Sequence, residues 1–554
     1  MTTNISFVVV MAGSLGLGAC NLGTFGPSGD ATTSGPATLT GGDLPTSSST
    51  DPPTTVDSST SSSTTSTGDP SGSSVGLDET SGATDITTTS ATSGPPPSTC
   101  NNGVLEDGED CDDGDDDPLD GCTPACTPTR AIALGIGPIS YHTCVLLPDG
   151  GARCWGYNPQ GQLGGAPGEN IGDDEFVYWH PALAAPGKNG TRFDAIAGGE
   201  RHACALTSED HVFCWGSQIE GRTGDGHYSD CSQPNTCKTD YNMDTLLLFG
   251  SLGPAEYVDF GFINPLQLAV GQAHACVATE DGDVRCWGQN VQGQLGLGHD
   301  TCVGTTCIPD IVAVELGSIP GPVVQLAAGG YHTCVRFDAP SDNVQCWGRG
   351  VEGQLGYGNT KNVGDGEMDS PDPAIVGPLQ LGGQAIDLAT GNGFTCVVLD
   401  TGSVRCWGEN ENGQLGQGNA TDLGNKSDST PNKIPDIALD RGVRKIRCGN
   451  QHVCALNVDD TVTCWGLGLY GALGYGNQND VSSPGDVGIV DVGAPVLDIA
   501  LGEQHTCVLL KDTTEIRCWG DGTSGQLGYG DAENIGDDPG ETPASAGNVP
   551  FYAP

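Results

Sequence analysis

The stretch HACVATEDGDVRCWGQNVQGQLGLG, residues 274–298, decides the fold. It contains two short apolar segments, His274–Ala278 and Val284–Trp287, separated by an Asp-Gly pair. Short alternating apolar segments on either side of such a pair are typical of a β-hairpin. A three-residue hairpin loop ends on a residue in the left-handed conformation, which Gly adopts without strain, and Gly282 stands at that position. The stretch therefore predicts an antiparallel hairpin with its loop at residues 280–282.

The position of the loop also decides which cysteines face each other. With loop residues 280–282, Cys276 lies directly opposite Cys286. Opposite residues on antiparallel strands have Cα atoms about 4.5–5.5 Å apart, which is within disulfide range. The spacing of ten or more residues is regular across a hairpin and does not fit CxxC-type metal sites. We predict seven intra-hairpin disulfides, each stabilising the fold by about 3 kcal/mol in the chain-entropy model. The predicted pairs are Cys144–Cys154, Cys204–Cys214, Cys276–Cys286, Cys334–Cys346, Cys396–Cys406, Cys454–Cys464 and Cys507–Cys518.

The hairpin belongs to a unit that recurs seven times: His-x-Cys, then Cys-Trp-Gly, then Gly-Gln-Leu-Gly. Seven of the eight Trp hold the same place in the unit, at intervals of 60, 72, 60, 60, 58 and 54 residues. The loop residue expected in the left-handed conformation is Gly150 or Gly402 in two other copies, and Asp210 or Asp460 in two more. Seven all-β units fit a seven-bladed β-propeller, because radial closure protects the sheet edges. We therefore predict an all-β fold with a propeller at residues 129–554.

The unit resembles the regulator of chromosome condensation (RCC1) repeat, with its pattern G-x-x-H-x-x-x-L … W-G-x-N-x-x-G-Q-L-G-x-G. Residues 293–298 and 413–418 are good copies, and the resemblance covers about residues 130–554. It implies a propeller that binds proteins, since the related family includes a guanine-nucleotide exchange factor, chromatin binders and a secreted enzyme inhibitor. The cysteine pair in each unit departs from the eukaryotic members and suits a secreted version. A Thr-Pro pair at residues 542–543 matches pairs that precede other units, which predicts that the C-terminus adds a strand to the first blade.

One His recurs at the same position of nearly every unit. The set is His142, His202, His274, His332, His452 and His505, with Phe394 in the fifth unit. A metal ring would form if these side chains faced the axis, but Phe394 interrupts the set, and a structural role beside the strand is favoured. The repeated Trp are predicted to pack between blades rather than to stack on a ligand. The sequence has no Gly-Lys-Ser/Thr phosphate loop and no His-Glu-x-x-His, and no catalytic residue is predicted.

The N-terminus is predicted to export and anchor the chain. Ile5–Leu17 is a mainly apolar run that fits a signal peptide and is too short to span a bilayer, although no Lys or Arg precedes it. Residues 17–20 read Leu-Gly-Ala-Cys and resemble the bacterial lipobox, so residues 1–20 form the signal and Cys20 carries the lipid. The alternative is an ordinary signal peptide with a chance Cys. Residues 21–99 are rich in Ser, Thr and Pro, and we predict a disordered linker.

Residues 100–128 are predicted to form a small acidic module with four cysteines, Cys100, Cys111, Cys122 and Cys126. A unit of this size lacks a core and needs disulfides, of which three pairings are open. It resembles the four-cysteine repeat of bacterial surface proteins (the Myxococcus cysteine-rich, DUF4215-like type). A cluster of carboxylates offers the oxygen ligands that Ca²⁺ prefers. A solvated acidic loop is the favoured alternative. The cluster is Asp112, Asp113, Asp115, Asp117 and Asp120.

Composition limits the partners and the compartment. There are 70 Asp plus Glu against 20 Lys plus Arg, a net charge of −50, which opposes binding to nucleic acid. Twenty-four Cys indicate an oxidising compartment outside the cytosol. Outside the hairpins, we predict two loop disulfides, Cys231–Cys237 and Cys302–Cys307, and a buried free thiol at Cys448.

Loops that differ between copies are the candidate binding surfaces. The longest insertion, about residues 217–265, carries several aromatic residues that form a recognition patch or pack on the propeller. The acidic loops at residues 172–175 and 536–538 either bind cations or form solvated turns.

The sequence thus predicts a non-enzymatic lipoprotein, anchored in a bacterial outer membrane and exposed at the cell surface. Its disulfide-braced propeller would serve as a platform for protein recognition or adhesion. The expected partner is a surface or secreted protein, or a glycan. No cofactor is expected, and Ca²⁺ at the acidic module is the less favoured alternative. Two alternatives stay open: a carbohydrate-active or other hydrolase with a site at the propeller centre, which needs a convergent acid pair, and a purely structural envelope component.

The hairpin register leads to a direct chemical prediction. Peptide mapping of the protein without reduction should recover a peptide in which Cys276 is linked to Cys286. Free thiols at these two positions would contradict the register.

Overall fold

The computed structural model describes residues 131–165, 167–180, 182–185, 191–223, 264–299, 313–367 and 370–551. The signal, the linker and the four-cysteine module lie outside these residues and stay predictions. Within the described ranges, no helix is both long and apolar enough to cross a membrane.

The described residues form seven antiparallel sheets of three strands each, paired in chain order, which confirms the predicted seven-bladed propeller. Blade 1 consists of β1 (Ala133–Leu134), β2 (His142–Leu146) and β3 (Ala152–Gly156), and blade 2 of β4 (Phe193–Gly198), β5 (His202–Thr207) and β6 (Val212–Gly216). Blade 3 consists of β7 (Pro265–Val270), β8 (His274–Thr279) and β9 (Val284–Gly288), and blade 4 of β10 (Val323–Ala328), β11 (His332–Phe337) and β12 (Val344–Gly348). Blade 5 consists of β13 (Ala385–Thr390), β14 (Phe394–Leu399) and β15 (Val404–Gly408). Blade 6 consists of β16 (Val443–Cys448), β17 (His452–Asn457) and β18 (Val462–Gly466), and blade 7 of β19 (Val496–Leu501), β20 (His505–Leu510) and β21 (Ile516–Gly520).

Short helical turns follow the outer strands. Two are α-helical, α1 (Pro373–Val376) and α2 (Pro543–Ala546). The 3-10 turns are Val177–Trp179, Ile219–Gly221, Pro431–Lys433, Leu469–Gly471 and Pro484–Asp486.

The hairpin between the middle and outer strand has the predicted register in every blade. In blade 3, Cys276 is the Cα partner of Cys286, and a disulfide joins them with the two Cα atoms 4.1 Å apart. Gly282 has φ +85°, and Asp210 and Asp460 both have φ +61°, as the loop geometry requires. All seven predicted hairpin pairs are disulfide-bonded in the structure.

The prediction for the C-terminus is wrong. The backbone N–H of Val549 donates to the carbonyl of Ile516, so the C-terminal segment extends blade 7, its own blade. Blade 1 takes its inner strand from β1, immediately ahead of it in the chain. The ring of Phe551 then packs on Trp155 of blade 1, with centroids 6.3 Å apart. The C-terminus therefore contributes a side chain to ring closure rather than a strand.

Adjacent blades are held by a repeated group of hydrogen bonds that we call the clasp. Between blades 4 and 5, the carbonyl of Gln354 accepts from Trp407 Nε1 at 3.0 Å and from Thr395 Oγ1 at 2.9 Å. Because the Thr395 hydroxyl has donated its one hydrogen, it accepts from His332 Nε2, 3.0 Å away. The repeated Trp, none more than 6 % exposed, thus lies between blades as predicted.

The clasp also closes the ring and explains the irregular member of the His set. Blade 7 meets blade 1 through His505 and Thr143, 3.0 Å apart. Blade 6 has Val453 at the position of the threonine, and blade 5 correspondingly has Phe394, which needs no hydrogen-bond partner. The complete clasps contain His274 with Thr333, His332 with Thr395, His452 with Thr506, and His505 with Thr143.

At two junctions the clasp is incomplete. Ala203 and Ala275 hold the threonine position in blades 2 and 3, and Nε2 of both His142 and His202 is buried without a hydrogen-bond partner. Burial lowers the pKa of His142 to about 4, and that of His274 to about 3. The clasp histidines are therefore neutral, with structural rather than acid–base roles.

Two substitutions test the clasp: one breaks a complete clasp, and the other supplies the threonine that an incomplete clasp lacks. Thr333→Val should lower the free energy of unfolding by about 1–3 kcal/mol, because it leaves His274 Nε2 buried without an acceptor. Ala275→Thr should raise it by about 1 kcal/mol, because the hydroxyl would supply the acceptor that His202 lacks and four other junctions hold a threonine there. Guanidinium unfolding with the disulfides intact measures both changes. A Thr333→Val protein as stable as the parent would contradict the clasp.

Candidate functional site

The propeller offers three surfaces for function: a central channel and two faces. One face is formed by the loops between inner and middle strands and by the loops after the outer strands, and we call it the turn face. These loops are joined by backbone hydrogen bonds, such as Ser217 N to Arg201 O at 2.8 Å and Gln289 N to Ala273 O at 2.9 Å. The opposite face carries the hairpin loops, and we call it the hairpin face.

The channel is narrow and lined by the inner strands. The next-to-last residue of these strands is Ala in blades 2, 3, 4, 5 and 7, which lets the strands approach the axis. Blade 6 has Arg447 there, so one long cationic side chain enters the channel. The cavity that remains has a volume of about 200 Å³.

The carboxylates of the channel wall are already occupied. Asp387 Oδ2 accepts from Arg447 Nη1 at 3.1 Å and from the backbone N–H of Ile446 at 2.7 Å. Asp498 Oδ1 accepts from Lys445 Nζ at 2.8 Å. A hydrolase site at the centre needs two acids that act on substrate, whereas these two each neutralise a neighbouring cation.

On the turn face, one repeat position is apolar in three consecutive blades. Ile219, Val291 and Val351 are 58 %, 53 % and 51 % exposed, and we call them the apolar arc. Each is the fourth residue after the repeated Trp, so the propeller symmetry places them at equivalent points of neighbouring blades. Glu220 and Glu352, which follow two of them, are paired with arginines. The arc therefore presents one exposed apolar side chain from each of three adjacent blades, and the two neighbouring glutamates are paired with arginines.

Blades 5 and 7 make the same face acidic. We call Glu409, Glu411, Glu503 and Asp521 the acidic arc. Burial raises the pKa of Glu409, with added repulsion from Glu352 and Glu411. Repulsion between these carboxylates shows that they lie close together, so a cation near this arc is attracted by several of them at once.

Glu503 is the most perturbed member of the acidic arc. Its backbone N–H donates to Ser140 O across the ring closure at 2.9 Å, and Asn450 Nδ2 donates to its Oε1 at 2.9 Å. Burial raises the pKa of Glu503 to about 7, and repulsion from Glu200 and Asp521 adds to the effect. The carboxyl thus changes charge near neutral pH.

The sequence-predicted residues fall into three groups. The hairpin cysteines are paired, and Cys448 is a buried free thiol whose pKa is raised by burial, as expected. The clasp histidines lie separately between blades, each beside its own neighbour, and do not converge on the axis. The following lie outside the described residues and stay predictions: Cys20, Asp112, Asp113, Asp115, Asp117, Asp120, Cys231, Cys237, Cys302, Cys307, and most of the insertion at 217–265.

Sequence reasoning missed the apolar arc. A signal was present, since the fourth residue after the repeated Trp is aliphatic in blades 2, 3, 4 and 6, where it is Leu469 in blade 6, but is Glu411 in blade 5. Its meaning depends on knowing that this position is exposed, which the repeat pattern alone does not state.

Comparisons with known proteins agree with this architecture. The family described as "RCC1-like domain" matches residues 249–551, and the "Regulator of chromosome condensation (RCC1) repeat" matches residues 140–162 and 193–222. The Ultraviolet-B receptor UVR8 of Arabidopsis thaliana is 28% identical over 408 residues, which cover 73% of this chain and 80% of the receptor. The human E3 ubiquitin-protein ligase HERC2 is 29% identical over 380 residues, covering 68% of this chain but only 7% of the ligase.

Two solved structures show the same fold. Human WBSCR16 superposes with a TM-score of 0.51 at 21% identity, covering 68% of this chain and 87% of that one. Prp20p of Saccharomyces cerevisiae, whose structure was described with its binding to Gsp1p and histones, gives a TM-score of 0.51 at 18% identity, covering 75% and 87%.

The titration of Glu503 leads to a stability prediction with a defined sign. Its folded-state pKa of about 7 lies above the ordinary value of 4.5. Between these two values the folded state binds more protons than the unfolded chain, so the free energy of unfolding falls as pH rises through this window, by about 2–3 kcal/mol from this group. Glu503→Gln should remove that part of the pH dependence.

Thermal unfolding from pH 4.5 to pH 8 measures the difference between the parent and the variant. Glu315→Gln, at an exposed glutamate, is the matched control and should track the parent. If Glu503→Gln and Glu315→Gln behave alike across the range, burial of the Glu503 carboxyl does not control its titration.

Proposed function

Because the chain belongs to the RCC1-like domain family, whose propellers are a protein-interaction fold, we propose that it recognises a protein partner through its turn face. We further propose that it does so as a non-enzymatic lipoprotein at the bacterial cell surface. The observation that carries the proposal is the apolar arc, Ile219, Val291 and Val351, exposed at one repeat position of three adjacent blades. Exposed apolar side chains that recur at equivalent points of one face offer a partner several apolar contacts with a fixed spacing.

The two arcs together favour a partner of mixed character. The apolar arc would bury aliphatic or aromatic side chains of the partner, and the acidic arc would attract its basic groups. Charge complementarity of this kind selects partners and speeds their encounter, while the apolar contacts contribute most of the affinity. A surface or secreted protein with a basic patch beside an apolar one fits this face.

The non-enzymatic part of the proposal is supported by the channel. Asp387 and Asp498 are each committed to a cation and a backbone N–H, and the channel is partly filled by Arg447. HERC2 is named a ubiquitin ligase, but the match with this chain covers only 7% of its length. It therefore gives no support for ligase activity in this chain.

The surface location is supported by the sequence and by the cysteines. Seven disulfides fit an oxidising compartment. Lipid at Cys20 would fix the chain to a membrane, and the linker at residues 21–99 would hold the propeller away from it.

The turn face is tested by pairs of substitutions with a matched control. Val291→Asp with Val351→Asp introduces charge into the apolar arc and should abolish capture of a surface protein by the immobilised chain. Val458→Asp with Leu266→Asp changes two residues that are 64 % and 60 % exposed and lie away from the turn face, and it should leave capture intact. Equal capture by both double variants would contradict the proposed face, and substrate turnover abolished by a point mutation would contradict the non-enzymatic role.

The anchor has its own measurement. Mass spectrometry of the mature protein from membranes should find an N-terminal Cys20 that carries lipid. An unmodified N-terminus that starts beyond Cys20 would end the lipoprotein part of the proposal and leave the turn face untouched.

A further inference from the structure

The eighth tryptophan stands apart from the repeat. Trp179 follows the outer strand of blade 1 and is 64 % exposed, whereas the seven repeated Trp are at most 6 % exposed. It ends the 3-10 turn Val177–Trp179, whose Val177 is fully buried. In blades 4 to 7 a short helical turn follows the outer strand and starts with a buried proline, as Pro373 does in α1. The turn of blade 1 is thus anchored by Val177, and the fold itself does not require an exposed Trp there.

Three aromatic rings form a cluster at this turn. Phe176 stacks on Tyr178 with centroids 5.4 Å apart and planes 8° apart, and Trp179 meets both rings edge-on at 5.6 and 6.1 Å. Phe176 is 39 % exposed and packs against the backbone of Gly530 in blade 7. We call Phe176, Tyr178 and Trp179 the aromatic patch. It lies at the outer rim where blade 1 meets blade 7, apart from the apolar arc of blades 2 to 4.

Carboxylates immediately precede the aromatic patch. Oxygen atoms of Asp173, Asp174 and Glu175 all lie within 4.8 Å of one another. Glu175 Oε1 accepts from the backbone N–H of Gly172 at 3.2 Å and lies 3.0 Å from His180 Nε2, so it holds the loop together. Burial raises the pKa of Glu175, and its hydrogen bond with Asp174 adds to this effect. Glu175 is thus engaged within the loop, while Asp174 beside it is exposed to solvent.

Exposed rings beside carboxylates select for a particular chemistry. A cation over an aromatic ring is attracted by the ring's negative face, and a carboxylate forms a charge-assisted hydrogen bond with the same group. A planar guanidinium makes both contacts at once, stacking on a ring while donating to an oxygen. Neutral sugars also stack on Trp and donate hydroxyl hydrogens to carboxylates, but they carry no positive charge to offset the crowded negative charges.

We propose that the aromatic patch, with Asp173 and Asp174, binds an arginine-bearing segment of a protein partner. The proposal rests on the proposed function, since it supplies a second contact for a partner recognised by the propeller. The net charge of −50 would attract a basic segment to the chain from a distance, and the aromatic patch would then bind it.

Titration calorimetry with the purified full chain tests the proposal. The probe is an acetylated, amidated peptide of alternating Gly and Arg, and the comparison peptide replaces each Arg with the neutral isostere citrulline. The Arg peptide should bind in a saturable way, and more weakly in high salt, while the citrulline peptide should bind at least about fivefold more weakly. Equal affinity for the two peptides would overturn the proposal.

Variants place the binding at the patch. Trp179→Leu, and Asp173→Asn with Asp174→Asn, should each weaken the Arg peptide about tenfold, since each removes one of the two contacts. Val458→Ala, at a side chain of the same 64 % exposure on the hairpin face, is the control and should bind like the parent. Iodide and caesium quenching gives a second readout: Trp179 should be quenched more by caesium, and the Arg peptide should protect it. Unchanged affinity in both patch variants would overturn the proposal.

The remaining outcomes separate this inference from the proposed function. Saturable binding of cellopentaose without binding of the Arg peptide would assign the patch to glycans, and a calcium isotherm lost in the aspartate variant would assign the loop to a metal; either result overturns the inference. Capture of a surface protein that is lost with Val291→Asp and Val351→Asp but kept with Trp179→Leu would support the apolar arc and reject the patch.

Discussion

The structure depends on one carbonyl group per blade junction. At Gln354, Gln294, Gln526 and Ala472 a single oxygen accepts from the indole of the next blade and from its threonine, which in turn accepts from a histidine behind it. All of these groups are buried, so each would destabilise the fold if left unpaired. Pairing all of these groups requires the next blade to lie at one distance and one angle. The clasp therefore contributes to the spacing and angle between neighbouring blades as well as to the stability of the fold.

The clasp and the disulfides act at different levels. Each disulfide joins the two strands of one hairpin and constrains a single blade, whereas each clasp joins two blades. Because each blade is constrained by its own disulfide and each junction by its own contacts, ring closure needs no strand exchanged between the termini. The segment with Val549 can therefore pair with its own blade, blade 7. Closure between blades 7 and 1 uses the same contacts, His505 with Thr143 and Trp155 with Gln526, as the other complete junctions.

Because buried side chains are constrained by packing, side chains that differ between blades lie mainly at exposed positions. The channel acids neutralise Lys445 and Arg447, and the repeated Trp and His are buried between blades. What differs from blade to blade lies in the loops between inner and middle strands and in the loops and turns after the outer strands. The apolar arc, the acidic arc and the aromatic patch all arise there. A ring that displays different side chains at equivalent points is suited to recognition of a protein partner.

The hairpins, their cysteine pairs, the number of blades and the buried thiol at Cys448 could all be predicted from the amino-acid sequence. The hairpins and their cysteine pairs depend on contacts between residues about ten apart, which turn chemistry at Gly282 or Asp460 controls locally. The number of blades follows from the number of repeats, and Cys448 is the cysteine left without a predicted pair. The pairing of Thr143 with His505, 362 residues away, was decided only by tertiary structure, because ring closure alone brings them together. The same holds for Phe394 facing Val453, for Asp387 meeting Arg447, and for the exposure of Trp179. Each results from neighbouring blades meeting at a fixed angle, and no local pattern encodes that angle.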